Sequence, residues 1–417
     1  MIILYKIASV ILFPFIEIWL FYRTYKGKED KKRLGERFGK TKIARPIGRG
    51  DIFWVHGVSI GEANSALILI DKILKNDKSC TIILTTTTIS SSKIINKEII
   101  KYNGRVIHQF LPIDTLFCVK NFLNYWKFTK VFFIESEIWP NLIYESKNIG
   151  CKINLINARI SNKSYNFWLF AKKFLRIKLF DQFDRIIVQC KEDIAKFKNL
   201  SNSEILFFGD LKSQSKPLLY DNSKLQTISK QIDNRPVFLC SSTHENEEQE
   251  LLKCYQKLKN KFSNLLLIII PRHINRSKSL QKLFENYHLA VRSNNDNLTK
   301  KTEIYLVDTL AELGLFYKLC DFTFIGGSIV NAGCHNPYEA IKLQCAVICG
   351  NNIFNFEDIY HNLSENNGCI ITKSNNEIID NISKLIEDSK FQKTLVKNSL
   401  KVIDNNNFID ELVDILN

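Results

Sequence analysis

From residue 52 onwards the chain alternates short apolar runs with amphipathic stretches, and after one interruption it does so again. The runs fall at 52–58, 81–86, 105–110, 131–135, 152–157 and 185–189, with helical patterns between them, as at 62–75 and 164–178. Strands that are apolar on both faces and separated by helices belong to a parallel sheet covered on both sides. The polar segment 212–235, with Pro217 inside it and Pro236 after it, breaks the rhythm. The rhythm resumes at 237–241, 265–270, 303–306, 322–325, 346–349 and 369–371, and the tail from 383 reads as helices. A chain of 417 residues can bury two such cores. The expected class is α/β, with one domain over 51–211, a connection over 212–235 and a second domain over 236–417. Ligands of open parallel sheets collect beyond the carboxyl ends of the strands, so two such sheets in succession imply a cleft between them.

Residues 1–22 are of another kind, with only Lys6 and Glu17 charged. As one helix this stretch would be about 33 Å long, enough to cross a hydrocarbon core, with Pro14 kinking its middle. No small-residue cleavage site follows, so a removed signal peptide is not expected. The formal charge is +15, and between Arg23 and Arg49 eleven basic residues face three acidic ones. The expectation is a membrane anchor over 1–22 and a basic linker over 23–50, in the inner membrane of the cell. The positive-inside rule then puts the body on the cytoplasmic side, where the basic residues attract anionic headgroups or a phosphorylated glycolipid. No nucleic-acid module is recognisable, and the basic block abuts an apolar segment, so nucleic acid is not an expected partner. Eleven cysteines are scattered without a CxxC pair or zinc spacing, as suits buried, reduced thiols.

The unusual polar residues fall at strand ends. Trp54-Val55-His56-Gly57-Val58-Ser59-Ile60-Gly61-Glu62 is a strand, a small-residue turn and a helix start. Glu62 there either favours the positive end of the helix dipole or serves as a general base toward an acceptor hydroxyl. Glu135-Ser136-Glu137-Ile138-Trp139-Pro140-Asn141 ends another strand with two carboxylates at i and i+2. Glu137 would bind a substrate hydroxyl or hold Glu62 in place. In the later half, Gly326-Gly327-Ser328 follows a strand, and its backbone N–H groups and hydroxyl suit a phosphate, although most such turns are only turns. Arg272, in Pro271-Arg272-His273, and Lys212 are further candidate anion contacts. His335-Asn336-Pro337-Tyr338-Glu339 reads as a capped helix start with Asn336 as cap. It reads equally as a nucleotide site, with Glu339 on a ribose diol. No HExxH or DxD pattern is present, so no metal or other cofactor is expected, and positive side chains and helix dipoles would neutralise a leaving phosphate.

In order, these blocks resemble the Kdo transferase family, which moves 3-deoxy-D-manno-oct-2-ulosonic acid (Kdo) from CMP-Kdo to a lipid A precursor. The likeness also runs through 33–39 (Arg-Leu-Gly-Glu-Arg-Phe-Gly), 157–161 (Asn-Ala-Arg-Ile-Ser), 241–247 (Ser-Ser-Thr-His-Glu-Asn-Glu) and Phe354-Asn355-Phe356. The resemblance implies a GT-B fold with two Rossmann-like domains, acceptor on the first and CMP-Kdo on the second. It implies Glu62 as catalytic base and Glu137 as a second essential acid. Lys212, Arg272, Gly327, Ser328, Asn336 and Glu339 become donor contacts in an inverting, metal-independent transfer to lipid IVA. Where the family often has Gly-Gly before His-Asn-Pro, this chain has Gly333-Cys334, which leaves the shape of that loop open. Rival readings are a GT-B enzyme using a UDP-sugar, whether transferase or epimerase, and a membrane-tethered binding protein without turnover.

Overall fold

A computed structural model describes residues 2–46, 50–58, 60–404 and 408–416; Arg49 and Ser59 lie outside them. The chain divides into two compact units, residues 1–215 with 407–417, and residues 216–406.

The first unit holds seven strands: β1 Ile52–His56, β2 Thr81–Thr86, β3 Val106–Phe110, β4 Lys130–Ile134, β5 Lys152–Ala158, β6 Arg185–Val188 and β7 Glu204–Phe207. They form one sheet in the order β3-β2-β1-β4-β5-β6-β7, parallel throughout. Every residue of β1 and β2 is buried, as strands covered by helices on both faces must be. One face packs around Trp54, Phe122, Trp126 and Phe133, the other around the helix Ile60–Asn76. The second unit repeats the plan with β8 Val237–Thr243, β9 Leu266–Pro271, β10 Leu289–Val291, β11 Ile304–Leu306, β12 Phe322–Ile325, β13 Ala346–Cys349 and β14 Cys369–Ile371. Its sheet, also parallel, runs β10-β11-β9-β8-β12-β13-β14. Sequence periodicity anticipates twelve of the fourteen strands among the described residues. It misses β7, an edge strand with exposed ends, and β10, an edge strand of three residues.

Three expectations are corrected. The apolar start is not one helix. It breaks at Leu12 into Ile2–Ile11 and Phe13–Tyr25, with Pro14 in the first turn of the second. The pair is bent by 52°, and among the described residues no single helix is long and apolar enough to cross a membrane. The first helix is instead tied to the sheet domain. Tyr5 Oη donates to Asp114 at 2.9 Å, Lys6 pairs with Glu145, and Asn141 Nδ2 donates to Ser9 Oγ at 3.2 Å. Nor do all of the linker's basic residues face outward, where they would meet anionic headgroups. Arg33 and Arg37 turn inward onto Glu36 and Glu29, and both guanidinium groups lie over the Phe110 ring, at 4.6 and 5.1 Å. Lys26, Lys28, Lys31, Lys32, Lys40 and Lys42 remain exposed. Finally, the domain limits shift. The helix Asn222–Ile232 belongs to the second unit, and the end of the chain returns to the first. There the helix Ile409–Leu416 buries Leu412, Val413 and Leu416, and Lys72 pairs with Asp410.

Candidate active site

In the first unit the polar residues gather at the carboxyl ends of β1, β4 and β5. β1 ends in His56, and the chain turns at Gly57 into the helix carrying Glu62 in its first turn. A Cβ on Gly57 would lie 3.0 Å from the carbonyl carbon of Glu62, so a side chain here would push against the start of the helix. The half-buried Glu62 carboxylate accepts the N–H of Val58 at 2.5 Å, and Ser91 Oγ donates to the Val58 carbonyl at 3.3 Å. His56 is fully buried. Its Nδ1 lies 2.9 Å from Thr85 Oγ1, and its Nε2 lies 3.4 Å from a Glu137 carboxylate oxygen. Trp139 Nε1 donates to that same oxygen at 2.7 Å. The Glu137 carboxylate thus stands beside the end of β1, held there by the Trp139 indole.

Glu135 just before it has φ 62°, a left-handed conformation costing a non-glycine residue about 1–2 kcal/mol. That conformation sends its buried carboxylate to Lys212, whose ammonium lies 2.7 Å away. Burial opposes the charge on Lys212, but the Glu135 and Asp210 carboxylates outweigh it and hold the ammonium above its ordinary range. Lys212 sits in the first unit, in the short turn Leu211–Gln214, and not in the second, where the donor contacts were expected. Asn157, at φ 57°, ties the same corner by donating to Asp210 at 3.1 Å and accepting from Leu211 N at 2.9 Å. Beside it opens a cavity of about 260 Å³, lined by Glu135, Ser136, Arg159, Ser161 and Ser164 among others.

In the second unit the Gly-Gly-Ser turn is differently employed. The carboxylate of Glu247 accepts from Gly327 N at 2.7 Å, Ser328 N at 3.0 Å, Ile329 N at 3.0 Å and His244 N at 3.2 Å. The backbone donors expected to meet a phosphate are therefore engaged by a side chain. Burial pushes the Glu247 carboxyl above the ordinary range, and the four amides pull it back. Gly326 permits this approach, because a Cβ there would lie 2.7 Å from the carboxylate. Ser328 is fully buried, its hydroxyl donating to Ile325 O and accepting from Gly350 N.

What this unit presents instead is a cluster of imidazoles beside an exposed guanidinium. His244 and His335 stack with ring planes 8° apart, and their Nε2 atoms meet at 2.7 Å. One of the two nitrogens must be unprotonated there, so the pair shares a proton. His273 packs edge-on to His244 at 6.0 Å. Burial, aided by Arg272, His244 and His273, pushes the His335 imidazole down to about 4. Arg272 is exposed at the end of β9. Asn336 accepts the N–H of Tyr338 at 2.9 Å, but the cap position of the helix Tyr338–Lys342 falls on Pro337, one residue later than expected, and Glu339 lies in that helix's first turn. The loop left open by Gly333-Cys334 is resolved. Gly333 takes the left-handed φ of 81°, and Cys334 Sγ turns into the core, 2.9 Å from Tyr360 Oη.

Residues 32–215 match the family model for 3-deoxy-D-manno-octulosonic-acid transferase (kdotransferase), and residues 221–402 match that for glycosyl transferases group 1. The 3-deoxy-D-manno-octulosonic acid transferase of Rickettsia prowazekii (strain Madrid E) is 32% identical, over 100% of this chain and 99% of its own length. The chain belongs to the Kdo transferase family. It is a glycosyltransferase. A second relative, the same transferase of Rickettsia bellii (strain RML369-C), is 33% identical over 99% of this chain and 98% of its own. Among solved structures, a glycosyltransferase from Rickettsia africae ESF-5 is similar with a TM-score of 0.59 and 13% identity, covering 88% of this chain and 98% of its own. That likeness speaks to fold alone, and the fold is GT-B-like.

For this transferase, sequence reasoning singled out Glu62 and Glu137, and the structure brings Glu137 to His56 at the head of the turn that carries Glu62. It missed the Glu135–Lys212 pair, the His244–His335 pair and the engagement of Glu247. His244 and Glu247 both stand in the block 241–247, but nothing in the block says which of its acids is sealed in.

Proposed function

We propose that this transferase moves Kdo from CMP-Kdo to lipid IVA in lipopolysaccharide core biosynthesis, with Glu62 as general base. The observation that carries the reading is the half-buried Glu62 at the head of its helix, on the edge where Glu137, held by Trp139, lies beside His56. Glu62 takes the proton of a primary acceptor hydroxyl. That oxygen attacks the anomeric carbon of Kdo, the bond from that carbon to the phosphate oxygen breaks, and CMP departs with its electron pair, inverting the centre. Arg272 and the start of the helix Tyr338–Lys342 meet the phosphate, and Glu339 a ribose diol. Gly327 and Ser328 serve this site by holding Glu247, not by binding phosphate, and Lys212 serves the acceptor half by holding Glu135.

The reading places the protein at the cytoplasmic face of the inner membrane. Ile3, Leu4, Ile7, Ile11, Phe15 and Ile18 of the bent N-terminal pair are exposed, with Lys26, Lys28, Lys31 and Lys32 exposed just after it. Detergent-solubilised protein, CMP-Kdo and tetra-acylated lipid A precursor, followed by mass spectrometry, test the function. A gain of one or more Kdo units is expected. No gain beside a working control enzyme would refute it and turn attention to UDP-sugar donors.

A further inference from the structure

The helix Asn162–Leu175 of the first unit is apolar on two faces. Its inner face is accounted for: Ala171 is buried, Tyr165, Trp168 and Leu169 pack on the sheet's core, and Trp168 lies edge-on to Phe180 at 5.6 Å. Its outer face carries Phe167, Phe170 and Phe174, which are 60%, 52% and 71% exposed. Spacings of three and four residues put these rings in one stripe, and the rings of Phe170 and Phe174 are 4.8 Å apart. Three phenylalanines in a row facing water are not the ordinary scatter of exposed apolar residues.

The charge around the stripe narrows what covers it. Lys163, Lys172, Lys173, Arg176 and Lys178 lie in or just beyond this helix, and no acidic residue occurs between 162 and 180. Lys163, Lys173, Arg176 and Lys178 are exposed. A second copy docking through the same face would set these cations against their own duplicates, so self-association is disfavoured. An aromatic stripe with basic flanks and no acids is the pattern of a helix lying in the plane of an anionic bilayer, rings in the acyl boundary and cations among the headgroups. The helix also has a place to deliver. Its cap Ser161 and its residue Ser164 line the 260 Å³ cavity beside Glu135 and Arg159. From there the helix runs about 20 Å away.

We propose that the helix Asn162–Leu175 is an interfacial membrane contact, separate from the N-terminal pair, that lays the mouth of this cavity on the anionic bilayer. A lipid-borne acceptor then reaches the cavity without leaving the membrane, a corollary that rests on the function proposed above; the bilayer contact itself does not.

The full-length protein is tested for partition into vesicles of phosphatidylglycerol and phosphatidylethanolamine, and into vesicles of phosphatidylcholine alone. The variant F167S/F170S/F174S should bind the anionic vesicles about tenfold more weakly than wild type, because both contacts act together in one molecule. A second variant, K163Q/K173Q/R176Q/K178Q, should lose the preference for anionic over neutral vesicles while keeping the stripe. All replaced side chains are exposed, so unchanged unfolding midpoints are expected and certify the comparison. Equal vesicle binding by wild type and the serine variant would overturn the proposal. So would wild-type dimers in sedimentation equilibrium that the serine variant abolishes, since a second copy would then cover the stripe. Vesicle binding needs no donor or acceptor, so failure of Kdo transfer leaves its outcome readable.

Discussion

Each unit places a glutamate at the start of the helix that follows its first strand, Glu62 after β1 and Glu247 after β8. The two glutamates have opposite fates. Glu247 is fully buried and accepts four backbone amides. Glu62 is half-buried beside a glycine turn. The Glu247 carboxylate is sealed in the core by four amides, whereas the Glu62 carboxylate, which accepts the Val58 N–H, stands at a half-buried strand end. The same residue type at the same topological position is a structural staple in one domain and the proposed base in the other.

The largest effect should come from Glu62→Gln, which removes the proton acceptor while keeping shape. Transfer should fall by about 10²–10⁴-fold, with the thermal midpoint little changed. Near-normal turnover would erase the contrast. The mirror change, Glu247→Gln, should act on stability. A carboxamide can accept for only one pair of amides and sets its NH₂ against the other pair, His244 N with Gly327 N or Ser328 N with Ile329 N. About 3 kcal/mol of stability should be lost, read from denaturant midpoints, because two buried donors go unmet. Lys212→Met sharpens the comparison within the first unit. It strands the buried Glu135 carboxylate and should cost about 2–3 kcal/mol, and Glu135→Gln in the same chain should restore part of it.

The smallest effect is a pH slope. The His335 imidazole is pushed down to about 4 in the folded chain, below the ordinary histidine value. Between about pH 6.5 and that value the unfolded chain binds a proton that the folded chain does not. Stability should therefore fall as pH falls through this window, by at most about 1.4 kcal/mol per pH unit for this group. His335→Gln should flatten the slope in urea titrations at pH 7, 6 and 5. An unchanged slope would mean that the stacked pair takes up the proton without penalty.

Much of the molecule was legible in advance where burial is uniform. β1, β2, β9, β12 and β13 are buried along their whole length, and each showed as an apolar run. β7 and β10 sit at sheet edges, where one side of the ladder is unpaired and the apolar run is short or mixed. The helix within 164–178 was legible as a helix, but its outward face was not, because it is apolar on both sides. Hydropathy presents the N-terminal segment as one span, because it does not see that Tyr5, Lys6 and Ser9 have partners on the sheet domain.

The sequence by itself determined two parallel-sheet domains, the strand ends on which polar residues would stand, and the family, because these follow from local periodicity and from short blocks of adjacent residues. Only the tertiary structure decided which of those residues remain available for chemistry. Glu247 meets three of its four amides 80 to 82 residues further on, Glu135 meets Lys212 from beyond β7, and the stacked histidines come from different loops. Whether a carboxylate is a base or a staple is set by which donors the fold brings to it, and three of the four that staple Glu247 are remote in the chain.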